Sequence, residues 1–150
     1  MGIALGIARH ALDEITAQAV QKAQFSTFSA VDTSTISICT RQDRARARSC
    51  ACPRPANLVW DLGSGAAGEM PPPEQQAQAR AAAAYVTEIA QGVTTVAFQA
   101  AGGGALFDTN PLQRCFRDVY AAGQHFLVSQ SSYRALGQFK LRQPDANPML

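Results

Sequence analysis

Residues 74–101 read EQQAQARAAAAYVTEIAQGVTTVAFQAA, and this stretch decides the fold. Val86, Ile89, Val93, Val96 and Ala100 recur at intervals of three and four, which puts them on one face of a helix. Alanines at 77, 79 and 81–84 raise its intrinsic propensity. At ~1.5 Å per residue such a helix is roughly 42 Å long, and its stripe needs partners of similar length. Small residues along it let a neighbour approach toward the lower end of the ~8–10 Å interaxial range. Gly92 interrupts it at a cost of about 1 kcal/mol relative to Ala. Pro71, Pro72 and Pro73 suit its start, and Gly102, Gly103 and Gly104 end it.

The flanks supply further helices. Residues 2–22 carry Leu5, Ala8, Leu12, Ile15 and Ala19 at the same rhythm, with Arg9, Asp13, Glu14 and Gln18 off the stripe. After the glycines, Asn110 can cap, Pro111 fits a first turn, and Gln113 completes a capping-box spacing. Leu112, Cys115, Val119, Ala122 and Phe126 form the stripe of that helix. A last helix over 131–141 buries Tyr133, Leu136 and Phe139, and the tail from Arg142, with Pro144 and Pro148, is expected to be extended. The expected architecture is all-α: an up-down four-helix bundle of mostly antiparallel helices.

Residues 23–56 do not share this character. No leucine occurs between Leu12 and Leu58, Ser and Thr cluster over 26–40, and Arg41, Arg44, Arg46, Arg48 and Arg54 face a single acid, Asp43. Residues 31–38 favour a strand by propensity alone, but a lone strand has no partner. The stretch reads as irregular or poorly ordered, with the second helix of the bundle degraded. Residues 57–62 read as the end of a helix, stopped by Gly63.

Composition narrows the function classes. The 150 residues are 47% hydrophobic and 16% charged with a net charge of +2, which fits a single folded domain rather than a disordered chain or a dedicated nucleic-acid binder. No apolar run reaches the ~20 residues of a membrane helix. The first 20 residues are amphipathic rather than leader-like, so a cytoplasmic location is the default expectation. Cys39, Cys50, Cys52 and Cys115 form no C-x-x-C pair, and their spacing with His10 and His125 suggests no metal site. The arginine run lacks interleaved aromatics and reads as solvated.

One segment, AGGGALFDTNPLQRCFRDVYAAGQH over residues 101–125, gathers groups with chemical potential. Three glycines offer backbone N–H groups with no side chain in the way. The helix start that follows favours anions. On that helix Arg114, Asp118, Ala121 and His125, spaced four, three and four, share a face, with Arg117 and Gln124 beside it. Each feature also has an ordinary reading: a C-cap and loop, a surface ion pair, a packed histidine.

The same residues resemble the C-terminal helical domain of the acyl-CoA dehydrogenase superfamily, and within it the two-component flavin-dependent monooxygenases that hydroxylate aromatic compounds. MGIALGIAR at the start, AAGGGALF over 100–107, PLQRCFRDV over 111–119, His125, and the last helix over 133–141 carry the resemblance. It covers residues 1–22 and about 57–150.

The resemblance implies a helical domain that packs into a homotetramer. It implies a flavin, FMN or FAD, completed by an N-terminal helical domain and a β-barrel domain, both expected to be absent here, and by a neighbouring subunit. By residue-wise carry-over, Gly102, Gly103 and Gly104 let the flavin approach, Arg114 and Arg117 hold its phosphate or a structural carboxylate, and His125 accepts a phenol proton. It also implies a flavin reductase as the source of reduced flavin and a small aromatic substrate. Alone, the chain is expected to be inactive.

Ordinary acyl-CoA dehydrogenases use a glutamate base, and no acid stands at the matching end of this helix. A dehydrogenase fragment and a non-catalytic oligomerisation remnant are the alternatives. Residues 23–56 depart from the family pattern, which suggests a shifted reading frame or a degenerate insert. The other two frames should then encode an amphipathic helix over these positions, and its absence from both would rule out the shift.

Overall fold

The computed structural model describes residues 2–25 and 71–149. These form four α-helices: α1 (Gly2–Phe25), α2 (Pro73–Ala101), α3 (Pro111–Gly123) and α4 (Ser131–Lys140). Two short 3-10 segments, Gly102–Leu106 and Phe126–Val128, precede and follow α3. No strand occurs among the described residues, and the all-α reading is borne out. The atypical stretch and the expected helix end over 57–62 lie outside the described residues, apart from positions 23–25, which continue α1.

The chain divides into two compact units. The first comprises Met1–Cys50 and Thr87–Ala122, the second Ala51–Val86 and Gly123–Leu150. In the first unit, two clusters record how the helices run. One joins Ala4 and Ala8 of α1 to Ala90 and Val93 of α2 and Val119 of α3. The other joins Ala11 and Ile15 to Ala97 and Ala101, together with Ala105, Leu112 and Cys115. Numbers rise together along α1 and α2 and fall along α3. Hence α1 and α2 are parallel and α3 is antiparallel to both, so two of these three pairs are antiparallel, as the up-down bundle reading expects.

The packed face of α1 keeps Ala8, Leu12 and Ile15 of the expected stripe but turns toward Ala4 and Ala11 and away from Leu5. Ala4, Ala8, Ala11 and Ile15 are buried, whereas Leu5 is 50% exposed. Similarly, Ala90, Ala97 and Ala101 are the most deeply buried apolar residues in this half of α2, ahead of Ile89 and Val96. Alanine against alanine brings two helix axes close, and dispersion between close backbones replaces the contacts of larger side chains. Thr94 is fully buried on the same face and satisfies its hydroxyl by donating to Ala90 C=O at 2.8 Å.

In the second unit, α2 begins at Pro73, where the missing N–H costs nothing. Gln76 folds back to donate from its side chain to Pro71 C=O at 2.7 Å. The side chains buried here are chiefly alanines, with Val86, Ser132 and Arg80. On α4 the buried residues are Ser132 and Ala135, one step from the expected set, and Tyr133 is 37% exposed. The tail beyond α4 forms turns rather than an extended strand: Gln143 N–H donates to Gln138 C=O and Ala146 N–H to Gln143 C=O. Arg142 starts it with φ of 52°. Arg80, nine-tenths buried, donates to Pro148 C=O and contacts Met149 Sδ at 3.8 Å. Glu74 pairs with Lys140 at 3.3 Å. No described helix is long and apolar enough to cross a membrane.

Candidate functional site

The three glycines lie at the seam between α2 and α3, inside the first unit. Gly102 takes φ of +66°, the left-handed conformation that ends α2 and that other residues adopt only with strain. The chain then tightens into the 3-10 turn Gly102–Leu106 rather than a free loop. A Cβ placed on any of the three glycines meets no atom within 4 Å, so this backbone faces open space. That fits close approach of a flat group held from elsewhere.

Asn110 caps α3 as its position predicts, its Oδ1 accepting Leu112 N–H at 3.0 Å. Gln113 does not close a capping box. Its side-chain amide donates instead to Asp108 Oδ1 at 3.1 Å, while Asn110 N–H goes to Phe107 C=O. Pro111 has no N–H and Gln113 N–H points to Asn110 C=O, so the first turn of α3 is closed by its own chain. The anion-favouring helix start expected from sequence has its donors occupied.

Arg114 and Asp118 form an i,i+4 pair at 3.5 Å, with Arg114 82% exposed. Such a pair contributes a few tenths of a kcal/mol and leaves the guanidinium open to a ligand. Both side chains line a cleft of about 620 Å³ between α1, the 108–111 connection and α3. Ile3, Ile7 and Cys115 give the cleft apolar wall, and Asp108 and His10 add polar groups. His10 is the functional candidate that sequence spacing missed, because it enters through the packing of α1 on α3 and not through local pattern. Gly6 also lines the cleft, and a Cβ there meets nothing within 4 Å.

Cys115 sits at the buried edge of this cleft, and its thiol is raised above the ordinary value of 9.0. Burial is the main cause, followed by the negative charge of Asp118 and then of Glu14. It stays protonated and weakly nucleophilic at neutral pH. Arg117 is exposed on α3 but does not line the cleft, and neither do the three glycines.

His125 is not on the helix. α3 stops at Gly123, and His125 has extended backbone with φ −69° and ψ 131°. The expected shared face of Arg114, Asp118 and His125 therefore does not form. The physical reason is local: His125 starts the next turn, its Nδ1 accepting Leu127 N–H at 3.3 Å, and its ring stacks on Phe126 at 5.0 Å between centroids. It belongs to the second unit. Phe126, expected on the α3 stripe, is 65% exposed.

Residues 2–130 match the family described as acyl-CoA dehydrogenase, C-terminal domain. The chain belongs to this family of helical domains. Among individual proteins, it is similar to the pigment production hydroxylase of Rhodococcus sp. (strain ATCC 21145), with 29% identity over 83 residues, 55% of this chain and 21% of that protein. The crystal structure of 3-HSA hydroxylase from Rhodococcus sp. RHA1 shares the fold, with a TM-score of 0.76 and 22% identity over 98% of this chain. The chain spans 38% of that hydroxylase.

Proposed function

We infer that this chain is the C-terminal helical part of a flavin-dependent oxygenase that hydroxylates a small aromatic compound. The observation that carries the reading is family membership together with similarity to two proteins that are both named hydroxylases. The absence of any Asp or Glu over residues 121–130 favours it over acyl-CoA dehydrogenation, which needs a carboxylate base. Flavin use follows from the family, and reduced flavin activates dioxygen when bound. The choice of FMN or FAD, supply by a reductase, assembly as a homotetramer and a cytoplasmic location are parts of the same proposal.

The residues of this chain supply binding and orientation. Gly102, Gly103 and Gly104 present backbone without side chains to the flavin. Arg114 and Arg117 offer exposed guanidinium forks to its phosphate. The remaining walls come from outside the described residues, including a neighbouring subunit, and without them water enters and the chain is inactive.

His125 handles the substrate hydroxyl. With Nδ1 accepting from Leu127, a neutral imidazole carries its proton on Nε2 and presents a donor outward. It therefore holds a phenolate oxygen by donation, and it accepts a phenol proton only when Leu127 N–H is released.

The test joins this chain to the remaining length of a related hydroxylase and assays aromatic hydroxylation with reduced flavin. His125→Ala should lower kcat by ~10²–10⁴. An unchanged rate removes His125 from the reaction.

A further inference from the structure

The end of α2 and the start of α3 meet at a single side chain whose hydrogen-bonding capacity is fully used. Asn110 Oδ1 accepts from Leu112 N–H at 3.0 Å and from Gln18 Nε2 at 3.2 Å. Asn110 Nδ2 donates to Gly104 C=O at 3.0 Å and to Gln18 Oε1 at 3.5 Å. A primary amide has two acceptor sites and two donor hydrogens, and all four are engaged. Gln18 lies 92 residues away on α1, so the pair closes amide against amide across the first unit.

Capping alone does not require this arrangement. Serine, threonine or aspartate would accept Leu112 N–H equally well, but none could also donate to Gly104 C=O while exchanging two bonds with Gln18. Within the turn, Ala105 is anchored in the core, but Gly102, Gly103 and Gly104 have no side chains to hold them, and a Cβ on any of the three would meet no residue beyond its neighbours within 4 Å. Its carbonyl at Gly104 is fixed by the amide that also starts α3.

We propose that Asn110 and Gln18 form an amide latch that sets the conformation of the glycine turn, making both positioning residues for the group that lies over it. That this group is a flavin rests on the reading above; the latch itself does not. The latch ties three elements: α1 through Gln18, the turn through Gly104, and α3 through Leu112. Releasing it frees the turn without dissolving the helices.

Asn110→Asp separates latch from cap, because the two respond to pH in opposite directions. An ionised aspartate caps α3 well and favours its positive end, but it has no hydrogen for Gly104 C=O. Protonation near the ordinary Asp pKa of about 3.9 restores one donor while weakening the cap. Amide hydrogen exchange on the full chain, corrected for intrinsic rates, reads both.

At pH 6 the variant should exchange the amides of the 3-10 turn about tenfold faster than the parent, with α3 protected, the change expected from losing about 1.4 kcal/mol of hydrogen bonding there. Toward pH 3, turn protection should return relative to parent while α3 protection falls. Gln18→Ala, which leaves the cap intact, should raise exchange in the turn by a smaller factor and leave α3 unchanged; this variant carries the test if Asn110→Asp does not fold. Unchanged turn exchange, or turn and α3 moving together with pH, would overturn the latch.

In the assembled enzyme, Asn110→Asp at pH 7 should raise the flavin KM about tenfold with kcat at saturating flavin little changed, the split expected of lost binding rather than lost chemistry. No KM change beside altered turn exchange would leave the latch standing and count against the flavin lying there.

Discussion

The two units hold together by different physics. In the first, Ile15, Leu112 and Val119 are fully buried, and the alanine faces of α1 and α2 close over them. An aromatic column extends this packing: Phe98, Phe116 and Tyr120 follow at 4.8 Å between successive centroids, ending on a Tyr120 hydroxyl 3.1 Å from Thr95 Oγ1. In the described part of the second unit, the largest fully buried side chain is Ser132, and a buried arginine grips the tail. Apolar burial resists local opening, whereas a cation held by a backbone carbonyl is an exchangeable contact. The candidate residues follow the same division: the glycines and Arg114 stand on the tightly packed unit, and His125 stands in a short turn of the other.

That contrast breaks most directly at Leu112. Leu112→Ala should cost ~2–5 kcal/mol by chemical denaturation, since it removes a fully buried side chain from a close-packed cluster. A cost under 1 kcal/mol would mean that the first unit is not cohesive.

Arg80→Met tests the other side. Breaking one charge-assisted hydrogen bond should change stability by only about 1–2 kcal/mol, because the desolvation of a buried cation is relieved at the same time. Tail residues 143–149 should become sensitive to limited proteolysis. A stability loss as large as that of Leu112→Ala would show that the second unit depends on Arg80 as the first depends on its core.

A smaller effect comes from Gly92, exposed in the middle of α2 with no atom within 4 Å of a Cβ. Gly92→Ala should stabilise by about 1 kcal/mol through helix propensity alone, read as a higher denaturation midpoint. Destabilisation would mean that this face is covered.

Cys115 predicts a pH dependence confined to the alkaline side. Its folded thiol is raised above 9.0, so its contribution is fully present below that value and is lost as pH rises through the folded pKa. Denaturation followed from pH 7 to 10 should show an alkaline decline that Cys115→Ala reduces. An identical slope in both proteins would place the decline elsewhere.

Legibility followed locality. The length of α2 is readable because Val86 to Ala100 keep the helical period while Pro73 and Gly102 mark the ends, and the start of α3 because Asn110 and Pro111 have a fixed meaning there. On α1 the pattern picks out Ala8, Leu12 and Ile15 but fails at its start, because hydrophobicity ranks Leu5 above Ala4 while the close approach of parallel helices selects the smaller residue. Helical spacing puts His125 one element too early, because it assumes that the helix continues, and α3 ends at Gly123. His10, the Gln18–Asn110 pair and the buried Arg80 depend on residues far apart in the chain, which no local pattern announces.

The central claim is that this chain forms part of an oxygenase. The direct measurement supplies the chain, joined to the remaining length of a related hydroxylase, with reduced flavin, a phenolic substrate and heavy-oxygen-labelled dioxygen, and follows label by mass spectrometry. The account predicts one labelled oxygen atom in the aromatic product. Oxidation of an acyl thioester without any labelled phenolic product would contradict it.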